Sequence, residues 1–330
     1  MNGGQSAFPS RYPVWIRCMT IEEIAELRRL RYNATVVSLR KPNPDLIIMR
    51  VRPDFPKPPH RAGQFSSLGM GMWEPRFPGC QEEVRKAGDE SKVVRRAYSL
   101  SCSVIDDDDR LLDLDAAEWL EYYIVLVRST NDPNRAPGLT PRLFMLRDGD
   151  RLQISERITG HFTLEGVRPT DTIVFLGTGT GEAPHNYMLW ELLRNGHAGR
   201  IVSVCCVRYL RDLGYRDIHE RIVRRHSNYT YVPLTTREAA NVGQKLYIQD
   251  LLTTGKLAEI VGNSLDPTST HVYLCGNPAM IGMPVRDVDT DTWSYPQPTG
   301  VIEILESQFG FQRDVHADHF RGNIHSEEYW

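Results

Sequence analysis

From Arg31 to about Leu164 the apolar residues fall into short runs broken by clusters of Pro, Gly and Asp, a pattern that predicts antiparallel strands. The runs are Ala34 to Leu39, Leu46 to Val51, Ala97 to Ser103, Tyr122 to Val127 and Arg151 to Ile154. Strands at such turn-punctuated intervals predict a barrel or sandwich. After Pro169 the texture changes. Thr172 to Leu176 is continuously apolar, His185 to Arg194 has helical spacing and is followed by Gly196, and Ile201 to Val207 is a second buried-strand candidate. Tyr229 to Pro233, Lys256 to Val261 and His271 to Leu274 continue the alternation, which predicts a parallel sheet with helices on both faces. Ahead of the barrel, Thr20-Ile21-Glu22-Glu23 reads as a capping box opening a short amphipathic helix that ends near Leu30. The expected units are therefore an N-terminal extension over 1–30, an antiparallel barrel or sandwich over 31–168 and a Rossmann-like parallel-sheet domain over 169–330.

Composition agrees with two domains, since 330 residues with 41% apolar content suffice for two cores of about 150 residues each. A net charge of -3 gives no global reason to expect nucleic-acid binding. The stretch from Arg11 to Arg61 is a local exception, with eleven Arg and Lys against five Asp and Glu, and reads either as a solvated basic surface or as a docking face for an acidic partner. Six cysteines lie scattered without Cys-x-x-Cys spacing, so no metal centre is expected. Their low density and an N-terminus without a signal pattern favour a reducing cytoplasm, and no run of eighteen apolar residues offers a membrane span. Asp106 to Asp109 is expected to be a solvated hairpin tip, and His316, His319 and His325 are expected to be surface residues rather than metal ligands. The sequons at Asn33 and Asn228 would go unused in a cytoplasmic protein.

Two motifs about eighty residues apart carry the chemistry: Arg96-Ala97-Tyr98-Ser99, and Gly177-Thr178-Gly179-Thr180-Gly181-Glu182-Ala183-Pro184. A flavin ring needs an aromatic platform, a donor near N5 and a cation for its pyrophosphate, and Arg96, Tyr98 and Ser99 offer all three, with Arg96 sharing the strand face of Tyr98. Alone, the motif fits an ordinary exposed strand as well. The glycine-rich segment follows a buried strand and opens a helix, where backbone N–H groups approach phosphate, but it is neither the dinucleotide fingerprint nor a Walker loop. Cys275 ends an apolar strand at the edge where open sheets bind ligands, though a buried structural cysteine would look the same. Cys205 and Cys206 read as inert core.

Gly63-Gln64-Phe65 before the first motif and Gly138-Leu139-Thr140-Pro141-Arg142-Leu143 after it complete a set that resembles the ferredoxin-NADP reductase family from about Arg31 to the last residue. That resemblance implies an antiparallel Greek-key β-barrel holding FAD followed by a Rossmann-like domain using NADP(H), with ferredoxin or flavodoxin as the one-electron partner. It gives Arg96 to the FAD pyrophosphate, Tyr98 to stacking on the flavin and Ser99 to a hydrogen bond near N5. Tyr123 and Val125 would line the FAD, and Leu139 with Thr140 would close over its phosphates. Thr178 and Gly179 would meet the nicotinamide nucleotide, Cys275 would lie against the nicotinamide, and Gly276 and Asn277 would also bind the cofactor. Thr236-Arg237-Glu238 and Lys245-Leu246-Tyr247-Ile248-Gln249 resemble the plant-type grip on a 2′-phosphate: Thr236, Arg237 and Lys245 on the phosphate and Tyr247 on the adenine, with Arg208 as a further nucleotide arginine. The closing Glu327-Glu328-Tyr329-Trp330 resembles the bacterial branch, which implies that Tyr329 stacks on the isoalloxazine, Trp330 approaches the FAD adenine and Glu327, with Glu328 beside it, links the flavin to protons. Two other readings stay open, an NADH-dependent reductase component of an oxygenase and a non-catalytic flavin-binding subunit. Trp73 to Lys92 and the 287–298 stretch are extra and unassigned, and the oligomeric state is open with a monomer slightly favoured.

Overall fold

The computed structural model describes residues 19–262, 265–287, 289–315 and 320–329. Its first part begins with helix α1 (Ile21–Arg31), where Thr20 Oγ1 accepts from the Glu23 N–H and the Glu23 carboxylate accepts from the Thr20 N–H, the reciprocal capping box expected. Strands β1 (Ala34–Asn43), β2 (Leu46–Pro53), β3 (Phe65–Gly71), β4 (Val93–Ser99), β5 (Leu120–Val125) and β6 (Arg151–Ile154) follow, with the short helix α2 (Thr140–Leu143) before the last. All their pairings are antiparallel, in the order β4-β3-β6-β1-β2-β5. Insertion of β6 between β1 and β3 is the Greek-key step, and a bridge from Ser101, just past β4, to Glu121 in β5 brings the two edges together as a barrel.

The second part runs β7 (Thr172–Thr178), α3 (Glu182–Arg194), β8 (Ile201–Val207), α4 (Arg216–Arg225), β9 (Tyr229–Thr235), α5 (Ile248–Thr253), α6 (Lys256–Val261), β10 (Thr270–Gly276), α7 (Pro278–Ile281), the hairpin β11 (Val285–Asp287) and β12 (Thr292–Ser294), α8 (Val301–Phe309) and β13 (Ile324–Glu328). Five strands form a parallel sheet in the order β13-β10-β7-β8-β9. Its central strands β7 and β8 are nearly continuous apolar runs because both faces are covered. Ile173 and Phe175 of β7 point into the core shared with α3 and the barrel, while Val174 and Leu176 point into the core closed by α5 to α8. The two sheets divide between Ile154 and Thr172, yet one hydrophobic core runs through both.

Several local expectations are refined. The strand expected over Ala97 to Ser103 is β4, four residues earlier, because its register follows Phe65↔Ser99 against β3. Asp106 to Asp109 does form a hairpin tip, closed by the Ile105↔Leu111 bridge, but the Asp109 carboxylate is bound by Arg221 and Arg225 of α4 rather than simply solvated. His325 is not a surface residue. It is buried between Asp314, whose Oδ2 lies 2.7 Å from Nδ1, and His271, whose Nδ1 lies 3.0 Å from Nε2, whereas His316 and His319 fall outside the described residues. Cys205 and Cys206 are buried, as core residues should be. Among the described residues no group of His, Cys, Asp or Glu could hold a metal ion, and no helix is long and apolar enough to cross a membrane.

Candidate active site

Where the barrel meets the parallel sheet, three strand ends converge. Ser99 closes β4, Cys275 lies near the end of β10, and the parallel register Cys275↔Glu327 sets β13 beside it. Ser99 Oγ donates to Glu327 Oε2 at 2.7 Å across the seam. The Tyr329 N–H donates to the Gly276 carbonyl at 2.9 Å, which places its side chain near Ser99 and Cys275. Ser99, Cys275, Glu327 and Tyr329 thus form one cluster although 228 residues separate the hydrogen-bonded pair.

The cluster is dry. Burial raises the Glu327 carboxyl above its ordinary value, with the Ser99 hydroxyl offsetting part of the rise. Burial, reinforced by Glu327, pushes the Cys275 thiol well up, and burial with Cys275 and Glu327 does the same to the Tyr329 phenol. Cys275 is therefore a neutral thiol, able to pack against a ring but not poised as a nucleophile. On β4 burial rises toward the seam instead of alternating: Arg96, with Nη1 donating to the Arg95 carbonyl at 2.7 Å, and Ala97 are exposed, Tyr98 is half-buried against the core and Ser99 is buried. A cation, a ring and a hydroxyl follow one another along one strand, the donor set an FAD would use.

At the C-terminal edge of the parallel sheet β7 passes through a single turn, Gly179–Gly181, directly into α3, whose first N–H groups receive no side-chain cap. Gly179 adopts a φ of +55°, and a Cβ added there would meet open space, so the turn presents bare backbone to the crevice. Gly181 has the opposite constraint, since its Cβ would strike the Cys275 carbonyl. Thr178 Oγ1 accepts from the Asn277 N–H at 2.7 Å, and Gly276, at φ +122°, fits only because no Cβ collides with Thr178. Thr178, Gly179, Cys275, Gly276 and Asn277 hence border one crevice, which suits a phosphate chain at a helix N-terminus.

Farther along the same edge, the Thr236 N–H donates to the Val207 carbonyl at 3.0 Å and the Arg237 N–H to the Arg208 carbonyl at 2.8 Å, which brings Arg208, Thr236 and Arg237 together past the ends of β8 and β9. Both arginines are exposed, as are Lys245 and Tyr247 on the stretch leading into α5. Other candidates are not joined to the Ser99 cluster. Tyr123 is buried, its hydroxyl accepting from the Gly214 N–H at 2.8 Å and donating to the Asp212 carbonyl at 3.1 Å, while Val125 is exposed on the same strand. Leu139 and Thr140 are buried at the start of α2, where Thr140 Oγ1 accepts from the Val127 N–H at 3.1 Å. Trp330 lies outside the described residues.

One buried group had no sequence signal beyond an acid inside the glycine-rich turn. Glu182, the first residue of α3, accepts from the Tyr231 hydroxyl at 2.9 Å and lies 3.2 Å from His219 Nε2, with His219 stacked on Tyr231 at 4.2 Å between centroids. Arg142 was likewise quoted only as part of a motif, yet it is fully buried and paired with Glu83.

Residues 175–286 match the family model of the oxidoreductase NAD-binding domain. The chain is 28% identical over 224 residues to the flavodoxin/ferredoxin–NADP reductase of Escherichia coli (strain K12), covering 68% of this chain and 76% of that one. It is 25% identical over 299 residues to the enzyme of that name from Buchnera aphidicola subsp. Schizaphis graminum, covering 90% and 98%. Among solved structures, the ferredoxin NADP+ reductase of Neisseria gonorrhoeae with bound FAD and NADP superposes with a TM-score of 0.62 at 23% identity, over 90% of this chain and 97% of that one. The ferredoxin-NADP+ reductase of Plasmodium falciparum with 2'P-AMP gives 0.58 at 14% identity, over 92% and 97%. The resemblance and the two-part fold read from the motifs are borne out.

Proposed function

We propose that the chain is an FAD-dependent ferredoxin/flavodoxin-NADP(+) reductase, exchanging a hydride between NADP(H) and flavin N5 and single electrons with a ferredoxin or flavodoxin. The observation that carries this reading is the 2.7 Å hydrogen bond from Ser99 to Glu327 beside Cys275, which joins the flavin-side strand to the nucleotide-side strands. When bound, FAD supplies the hydride and one-electron chemistry. The chain's part is placement in a water-poor seam. Tyr98 offers a ring face and Arg96 a cation for the pyrophosphate, with Tyr123, Val125, Leu139, Thr140 and Trp330 as further contacts. Ser99 Oγ directs its proton at Glu327 Oε2, so the pair is a two-member path by which the seam holds or passes a proton. The neutral Cys275 thiol packs against the nicotinamide, and Tyr329 must swing aside to admit that ring, a gating step.

Thr178, Gly179, Gly276 and Asn277 would receive the nucleotide's phosphates and nicotinamide end, with Arg208, Thr236, Arg237, Lys245 and Tyr247 on its 2′-phosphate and adenine. Three cations there favour NADPH over NADH. The proposed units are 31–168 for FAD and 169–330 for NADP(H), with 1–30 as an extension. Five described cysteines are free, which accords with action in the cytoplasm.

The test is optical. Protein reconstituted with FAD should be yellow and bleach on anaerobic addition of NADPH, with kcat/KM for NADPH about tenfold or more above that for NADH, as one lost charge-assisted hydrogen bond of about 1.5–3 kcal/mol implies. Equal or better turnover with NADH would favour the oxygenase-component reading. Bound FAD that NADPH does not bleach would favour the non-catalytic one.

A further inference from the structure

The extra segment between β3 and β4 is not a free loop. It lies against the stretch 128–142, which leads from β5 to the turn that precedes and opens α2. Gln81 is the first grip: its N–H donates to the Arg128 carbonyl at 2.7 Å, its side-chain amide donates to the Asp132 carbonyl at 2.9 Å and its side-chain oxygen accepts from the Thr130 N–H at 2.9 Å. The Phe77 N–H donates to the Pro141 carbonyl at 2.8 Å, and Arg76 Nη2 donates to the Pro137 carbonyl at 3.0 Å.

The deepest grip is ionic. Arg142, with no exposed surface, donates through Nη1 and Nη2 to the two oxygens of Glu83 at 3.0 and 2.6 Å, and through Nη1 to the Gly138 carbonyl at 2.5 Å. Burial pushes the Glu83 carboxyl up, but the hydrogen bonds and charge of Arg142, together with the charges of Arg76 and Arg85, more than reverse this and leave it below its ordinary value, so the pair is charged. A Cβ on Gly138 would sit 3.2 Å from Val94 and 3.7 Å from Glu83 Oε1. Val94 shares its strand face with Arg96 two residues on. The segment's carboxylate, the Gly138 to Thr140 turn and the strand carrying Arg96 therefore meet at one point.

We infer that Trp73–Lys92 is a clamp that retains FAD by fixing the turn over its phosphates, with Glu83 as the positioning residue acting through Arg142. This rests on the FAD reading above. A turn held in its ligand-bound shape by a buried bidentate pair loses little freedom on binding, which slows dissociation more than it changes association. Glu83 touches no part of the cofactor. Its influence is on the geometry of Gly138, Leu139 and Thr140.

The experiment measures FAD dissociation by flavin fluorescence on the full chain. Glu83→Gln keeps an acceptor but loses the charge and should raise the FAD dissociation constant several-fold; Glu83→Ala should raise it about 10- to 100-fold, mainly through faster release. Binding of 2′,5′-ADP should be unchanged in both, a readout that general unfolding would not spare. Should Glu83→Ala fail to fold, Gln81→Ala, which removes only the half-exposed grip at Thr130 and Asp132, should still speed FAD release several-fold. Wild-type protein that binds FAD alongside Glu83→Gln and Gln81→Ala variants that hold it equally well would overturn the clamp alone. Wild-type protein that binds no FAD would overturn the reading it rests on as well.

Discussion

At the scale of single residues, the proposed chemistry turns on how firmly Glu327 holds its proton. Its carboxyl is raised above the ordinary 4.5 by burial, with Ser99 opposing. A carboxyl raised in the native state binds its proton more tightly folded than unfolded, so it contributes stability below the ordinary value and loses that contribution as pH climbs through the raised one. Glu327→Gln is neutral throughout and should flatten the fall in Tm over that window; a variant whose Tm tracks the wild type at every pH would refute the assignment. Ser99→Ala removes the donor at 2.7 Å and leaves Glu327 Oε2 buried without it. Loss of one hydrogen bond to a charged group, about 1.5–3 kcal/mol, should slow single-turnover hydride transfer by about 10- to 100-fold while FAD stays bound. Neither residue could be placed by pattern alone. Ser99 and Glu327 were legible only through the motifs they belong to, and Glu182, His219 and Tyr231 were not legible at all, because their contact arises from a helix start, another helix and a strand meeting in space.

At the scale of elements, the sequence is readable wherever side chains alone decide the structure. β6 and β8 occupy the predicted residues because their apolar residues alternate or run on, and β1 and β2 begin where predicted. β3 was signalled only by its leading Gly-Gln-Phe, since its two glycines and two serines give no alternation and pairing with β4 and β6 holds it. β13 reads Ile-His-Ser-Glu-Glu, too polar for a buried strand, and exists because its backbone pairs with β10 at the edge of the sheet. α4 is mostly charged and buries only His219 and Ile222. The same backbone logic governs the β7 and β10 ends, where Gly276 at φ +122° lets the Asn277 N–H reach Thr178. Gly276→Ala forces both a strained φ and a collision with Thr178, at a cost of about 1–3 kcal/mol. Calorimetry should show NADP+ affinity lowered about tenfold or more with FAD affinity unchanged; retention of both would mean that this turn does not shape the nucleotide crevice.

At the scale of the whole molecule, the basic surplus near the start of the barrel proves to be largely structural. Of the nine Arg and Lys residues between 19 and 61, seven have partners within the fold: Arg28 with Glu74, Arg29 with Glu26, Arg50 with Glu121, Arg61 with Glu165, and Arg40, Lys41 and Lys57 with backbone carbonyls. Carboxylates offset Arg28, Arg29, Arg50 and Arg61, whereas Arg40, Lys41 and Lys57 keep their full charge on neutral carbonyls, so only part of the surplus is compensated within the fold. Much of the barrel's grip on the second half falls on the stretch 211–225. Asp109 binds Arg221 and Arg225 near the surface, whereas Glu121, fully buried with Arg50 and Ser103, accepts from the Tyr215 hydroxyl at 2.9 Å, and that hydroxyl accepts from Ser101 at 3.0 Å. The two contacts should answer differently to salt. Asp109→Asn should lower Tm only slightly, and the loss should shrink between about 0.05 and 0.5 M NaCl as the near-surface ion pairs are screened. Tyr215→Phe removes a buried hydrogen bond to a charged acceptor, about 1.5–3 kcal/mol, which should lower Tm by roughly 3–10 °C whatever the salt concentration. Because this bond ties Glu121 of β5 and Ser101, two residues past Ser99, to the start of α4, Tyr215→Phe should also slow hydride transfer from NADPH with FAD and 2′,5′-ADP binding unaltered. Equal salt sensitivity in the two variants, or a Tyr215→Phe enzyme of full speed, would show that the seam is held by its shared apolar core instead.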